Sequence, residues 1–111
     1  MTSITNEYMQ EMMTKTRNYN LVILKKGLNF DLPDARSVIW EHGRKNFELR
    51  ADGKLSIVCP VADSGEVRGV GIFNVEEKEL KQIMDEDPGV KAGIFVYEIH
   101  PVRSFPGDKL P

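Results

Sequence analysis

Two polar side chains stand one helical turn apart where an apolar face is expected: His42 and Asn46. With residues 34 to 51 on a wheel at about 100° per residue, Ala35, Val38, Ile39 and Leu49 fall within an arc of roughly 100°, the width of a core-facing stripe. His42 and Asn46 lie near the middle of that arc. An imidazole exchanges a proton near neutral pH, and a carboxylate beside it fixes its tautomer and stabilises the imidazolium. A buried polar group is costly without a partner. The pair therefore marks either a satisfied structural hydrogen bond or a polar pocket kept for chemistry. Gly43 gives up roughly 1 kcal/mol of helix propensity relative to Ala and leaves room for a ligand or for close packing. No Ser or Cys nucleophile stands beside His42, which disfavours hydrolysis through a covalent intermediate.

The remaining chemistry-bearing residues read more plainly. Cys59 is the single cysteine, so it forms no internal disulfide and no paired-thiolate zinc site. It reads as a small hydrophobe or a pocket-lining residue. His100, before Pro101, reads as a strand-end residue. Two histidines far apart in sequence are too few for a metal site, and none is expected. Trp40 and Phe47 form a second stripe on the same helix, read as packing and not as a ligand platform. Gly69 and Gly71 lack a phosphate-loop context and read as close sheet packing.

These residues need elements to position them. Residues 3 to 16 read as a Met-rich helix, with Ile4, Tyr8, Met9, Met12 and Met13 near i, i+4 spacing. It is an appendage on the domain or on a partner chain. A strand follows at 19–26, a loop at 27–33, and a helix from Pro33-Asp34 to about Ala51, closed by Asp52-Gly53. Strands are expected at 54–60 and 67–75, and a helix at 76–86 ended by Asp87-Pro88-Gly89. A last strand at 92–100 is stopped by Pro101. The division is an N-terminal helical extension (1–17), a body (18–103) and a loose tail (104–111).

With right-handed crossovers, this βαββαβ order predicts an α+β, ferredoxin-like fold: a four-stranded antiparallel sheet with two helices on one face. In the first strand Leu21 and Ile23 point one way, Val22 and Leu24 the other, and all four are apolar. In the last, Ile94 and Val96 oppose Phe95, Tyr97 and Ile99. Two helices cover one face only, so a homodimer packed through the sheet faces is expected. The N-terminal helix is the other candidate cover.

The chain has 111 residues, 41% hydrophobic and 29% charged, with a formal net charge of −2. That is one small globular domain. The balance excludes nucleic acid or an anionic membrane as the main partner. The N-terminus carries acid where a signal peptide needs base, and apolar runs such as Leu21 to Leu24 are far below the ~20 residues of a membrane span. A cytoplasmic protein is expected.

Several segments together resemble the YciI-like (YCII-related) family: the inward His42, then Asp52-Gly53-Lys54-Leu55, Cys59-Pro60, Asp63, Gly71-Ile72-Phe73, and Asp87-Pro88-Gly89-Val90-Lys91-Ala92-Gly93-Ile94-Phe95. The resemblance spans residues 19 to 102, and the Asp87–Phe95 segment is its most specific part. It implies a dimeric α+β barrel and an active site built on the helix histidine and an aspartate. The histidine carries onto His42; Asp63 and Asp87 are both candidates for the aspartate. Asn46, Cys59 and Pro60 are the expected substrate contacts. The family usually has glycine before the proline, and Cys59 puts a side chain there that is expected either to narrow the pocket or to alter the strand end.

The family is similar to a dehydrochlorinase of chlorinated hydroxyquinols and to muconolactone-isomerase-like folds. The chemistry implied is proton abstraction with elimination or isomerisation of a small cyclic or aromatic compound, without a cofactor. Two rival readings stand beside it. One is a non-catalytic dimer that binds a small metabolite or a partner in the same pocket. The other is a structural His42, with function on the dimer surface or the N-terminal helix.

Overall fold

A computed structural model describes residues 2–111. β1 (Arg17–Lys26), β2 (Leu55–Pro60), β3 (Val67–Phe73) and β4 (Phe95–Ser104) form one antiparallel sheet in the order β2-β3-β1-β4. The helices are α1 (Asn6–Met13), α2 (Ala35–Ala51), α3 (Glu77–Glu86) and α4 (Pro88–Lys91). This is the expected α+β, ferredoxin-like architecture.

One buried face of the sheet makes the core. Val22, Leu24, Leu55, Phe73 and Phe95 meet Ala35 and Leu49 of α2 and Leu80 and Met84 of α3. Leu21 and Ile23, on the opposite face of β1, are only half-buried, as the alternation requires. Phe105, Pro106 and Leu110 line a groove with Tyr19, Ile57 and Ile72, so the C-terminal tail runs along the end of that second face.

Four local expectations are corrected. α1 is shorter than 3–16, starting where the Thr5 hydroxyl accepts from the Tyr8 N–H at 3.1 Å. β4 does not stop at Pro101 but pairs with β1 as far as Ser104, because β4 is an edge strand, where a residue without an N–H is tolerated. Ile94 does not share the open face with Val96: it is buried ahead of the strand, whereas Val96 is half-exposed. Asp87-Pro88-Gly89 does more than end α3. It opens the one-turn α4, with Pro88 in the first turn, where its missing N–H costs nothing.

The connections are tight where they hold the site. Gly27 N–H donates to the Ile94 carbonyl at 2.7 Å, Asn29 N–H to the Gly93 carbonyl at 2.9 Å, and Asn29 Nδ2 to the Ala92 carbonyl at 2.8 Å. These bonds fasten the end of β1 to the segment between α4 and β4. The Cα radius of gyration is 16.5 Å, against about 13 Å for a compact chain of this length. No residue of α1 is buried.

Tyr97 ties β4 to α3, donating its O–H to Asp85 Oδ1 at 2.6 Å. Burial first, then this hydrogen bond and the carboxylate charge, push its ionisation up to about 12. The folded value lies above the unfolded one. Its stabilising contribution is therefore complete below about pH 10 and lost as pH rises through about 12. Absorbance titration of the folded chain should show one of its three tyrosines ionising near pH 12, and Tyr97→Phe should remove that step. Three superimposed steps near the ordinary tyrosine value would contradict this.

Candidate active site

α2 lies across the sheet with His42 and Asn46 turned inward, as the wheel predicts. Its apolar stripe seats it: Ala35 and Leu49 are buried and Val38 and Ile39 half-buried. Gly53, at φ 75°, lets the chain turn from the helix end into β2.

The aspartate that meets His42 is Asp87. Nδ1 of His42 lies 2.8 Å from Asp87 Oδ1 and 2.9 Å from Oδ2. Oδ2 also accepts from the backbone N–H groups of Gly89 and Val90, at 2.9 and 3.2 Å, as the N-cap of α4. Asp87 is the one buried charged residue among those described, and its side chain is 4% exposed. A carboxylate that already accepts two N–H groups accepts a third from Nδ1. The neutral imidazole then carries its proton on Nδ1 and a lone pair on Nε2. Asn46 Nδ2 is 3.3 Å from that lone pair. The Phe95 ring packs on the imidazole with centroids 5.0 Å apart, and Gly89 leaves room for that ring.

Nε2 and Asn46 border a cavity of about 240 Å³ between α2 and the sheet. Its other walls are chiefly apolar, among them Leu24, Leu55, Val58, Phe73 and Met84. The volume suits one small ring, being below the ~300 Å³ lower end of drug-sized pockets. Cys59 and Pro60 line the cavity too, both at its exposed edge.

Asp63 is not part of this group. Its Oδ1 accepts from Gly65 N–H at 2.9 Å, and its carbonyl accepts from Arg68 Nη2 at 2.5 Å. It shapes the turn between β2 and β3 and anchors Arg68, which borders the cavity. His100 lies outside as well, 3.0 Å from Glu98 Oε1 on the surface of β4. No cluster of three or more His, Cys, Asp or Glu suited to a metal exists among the described residues.

Trp40 and Phe47 overturn their expectation: they do not pack within the chain but stand 72% and 66% exposed on the outer side of α2. Phe95, Gly89 and Arg68 were not signalled by sequence spacing. Phe95 and Arg68 reach the site only through the pairing of distant segments, and Gly89 through its place beside Asp87 at the start of α4.

The chain is similar in structure to 5-chloro-2-hydroxyhydroquinone dehydrochlorinase from Burkholderia phenoliruptrix, solved in complex with 2,5-dihydroxybenzoquinone. The TM-score is 0.51 at 16% identity, covering 73% of this chain and 90% of that one. The likeness is one of fold. No protein-family model matches the sequence, and no curated protein matches it. No helix is long and apolar enough to cross a membrane.

Proposed function

We propose that the chain is a small YciI-like enzyme that moves a proton on a compact cyclic or aromatic substrate, in an elimination such as dehydrochlorination or in an isomerisation. The observation that carries this reading is the His42 imidazole held by the buried Asp87, with the second imidazole nitrogen at the wall of a chiefly apolar, ring-sized cavity. Asp87 acts as the positioning residue. It holds the proton on Nδ1 and balances the imidazolium once Nε2 has taken a proton from the substrate. In an elimination, the electron pair of the broken C–H or O–H bond flows into the ring as chloride departs with the C–Cl pair. Asn46 releases Nε2 to the substrate and orients a ring oxygen. Cys59 and Pro60 shape the entrance.

The dehydrochlorinase of similar fold, with its bound quinone, supports the choice of first substrates. The functional unit is the 18–103 body, paired with a second copy through the sheet face that carries Leu21 and Ile23. A reducing, cytoplasmic setting suits its single cysteine.

A second reading rests on one contact. Asn46 already engages Nε2, as it would in a module that only binds a ring-shaped metabolite. The test uses chlorinated hydroxyquinols, small lactones and cyclic acids, following chloride release and solvent-deuterium incorporation into the substrate. Turnover that falls by at least about 10²-fold in His42→Gln is the expected result, the lower bound for a general base. Binding without turnover across the panel would establish the metabolite-binding reading and sink the enzymatic one. Neither binding nor turnover would remove both.

A further inference from the structure

The outer side of α2 carries a second cleft, of about 400 Å³, open to solvent. Trp40 and Phe47 form its apolar floor, Arg36 and Arg44 flank it, and Ile39 and Gly43 are shared with the cavity that holds His42. At 100° per residue, Arg36, Trp40, Arg44 and Phe47 fall on one strip of the helix. Arg36 has no acidic partner among the described residues, while Arg44 pairs only with Glu41 on the surface. The largest exposed aromatics of the body thus sit in a cationic frame.

The chain also carries an unpartnered element of matching chemistry. α1 exposes half or more of Tyr8, Met9 and Met13, as the chain does Ile4 just ahead of it, and Glu7 and Glu11 run beside Tyr8 on its adjoining face. Glu11 meets Lys15 at 3.7 Å; Glu7 has no cationic partner among the described residues. An isolated helix of this length is unstable in water. The extended shape of the chain leaves α1 to find a surface elsewhere.

We propose that α1 is an exchange arm: its Tyr8–Met9–Met13 stripe docks in the Trp40–Phe47 cleft of a second copy of this chain, with Glu7 facing Arg36. The sizes agree, since eight helical residues present a two-turn stripe to a cleft spanning Arg36 to Phe47, three turns of α2. The aromatic floor and adaptable methionines suit each other, and the acids of the arm meet the cations of the frame. The docked arm closes the outer side of α2 at Gly43, next to the candidate site, so the partner completes the surroundings of that site. Sheet-face pairing is a separate contact and does not depend on the arm.

Trp40 is the only tryptophan, which makes the cleft its own reporter. The full chain should emit as a shielded indole, and Tyr8→Asp with Met9→Asp should shift the emission red to that of a water-exposed indole. Two single-cysteine chains, both carrying Cys59→Ser, identify whose arm it is: one bears Glu7→Cys, the other Arg36→Cys. Co-expressed and treated with a short bifunctional thiol reagent, they should give a covalent heterodimer, which a chain docking its own arm cannot form. A wild-type emission equal to that of the arm variant overturns the proposal. So does the absence of the cross-linked heterodimer.

Discussion

Asp87→Asn is expected to leave the fold standing and to silence the candidate base. Asparagine caps a helix as well as aspartate does, so its carbonyl keeps the Gly89 and Val90 N–H groups satisfied. Its amide then faces His42 Nδ1 as a donor. The imidazole must accept there and carry its proton on Nε2, where the substrate needs a lone pair. Stability should stay within about 1 kcal/mol of wild type, the worth of one ordinary hydrogen bond. Proton abstraction should fall by about 10⁴-fold, the scale of a wrong-tautomer defect.

Asp87→Ala makes the complementary prediction. It deletes the cap, at about 1 kcal/mol, and leaves a buried Nδ1–H without an acceptor, at about 1–3 kcal/mol. The fold should therefore lose about 2–4 kcal/mol. Nitrogen NMR of the imidazole reads the tautomer without any substrate, and denaturation at fixed protein concentration reads the stability. An Asp87→Asn variant that keeps its proton on Nδ1 would refute the assignment of roles.

Gly27→Ala should be the costliest small substitution in the chain. A Cβ at this position would press into the carbonyl group of Gly93 and against the Ile94 backbone. These are backbone atoms, so no side-chain rotation relieves the clash. The segments must separate, straining the bonds from Gly27 to Ile94 and from Asn29 to Gly93. Overpacking typically costs 1–3 kcal/mol. With two backbone hydrogen bonds strained as well, a loss of about 3 kcal/mol or more is expected, measurable as a lower denaturant midpoint with unchanged slope. The displaced segment begins six residues after Asp87, so the His42–Asp87 contact should loosen as well. A Gly27→Ala chain as stable as wild type would mean that this junction is slack.

The helix histidine was legible because its signal is local. His42 and Asn46 break an apolar stripe at i, i+4, and the covalent geometry of a helix turns them the same way. The choice between Asp63 and Asp87 was not legible. It depends on where the α3–β4 connection lands against α2, a contact between residues 45 positions apart. The helix opening at Asp87-Pro88 was readable in principle, since an acidic cap followed by Pro is a helix start as well as a stop. The sheet order followed from element order and chirality. The end of β4 did not, because Pro101 reads as a terminator unless the strand is known to lie at an edge. Trp40 and Phe47 misled for a different reason. Aromatics at helical spacing imply burial, but not burial by the same chain.

One carboxylate serves two masters in this molecule. Asp87 orients an imidazole with one side and starts a helix with the other. Asparagine at this position would separate those duties, keeping the cap while reversing the hydrogen bond to Nδ1. A relative in which the imidazole had no role could change His42, yet position 87 would still be held to a capping residue by the α3–α4 corner. A capping side chain at position 87 therefore testifies to architecture alone; a histidine at 42 together with an aspartate at 87 testifies to the imidazole pair.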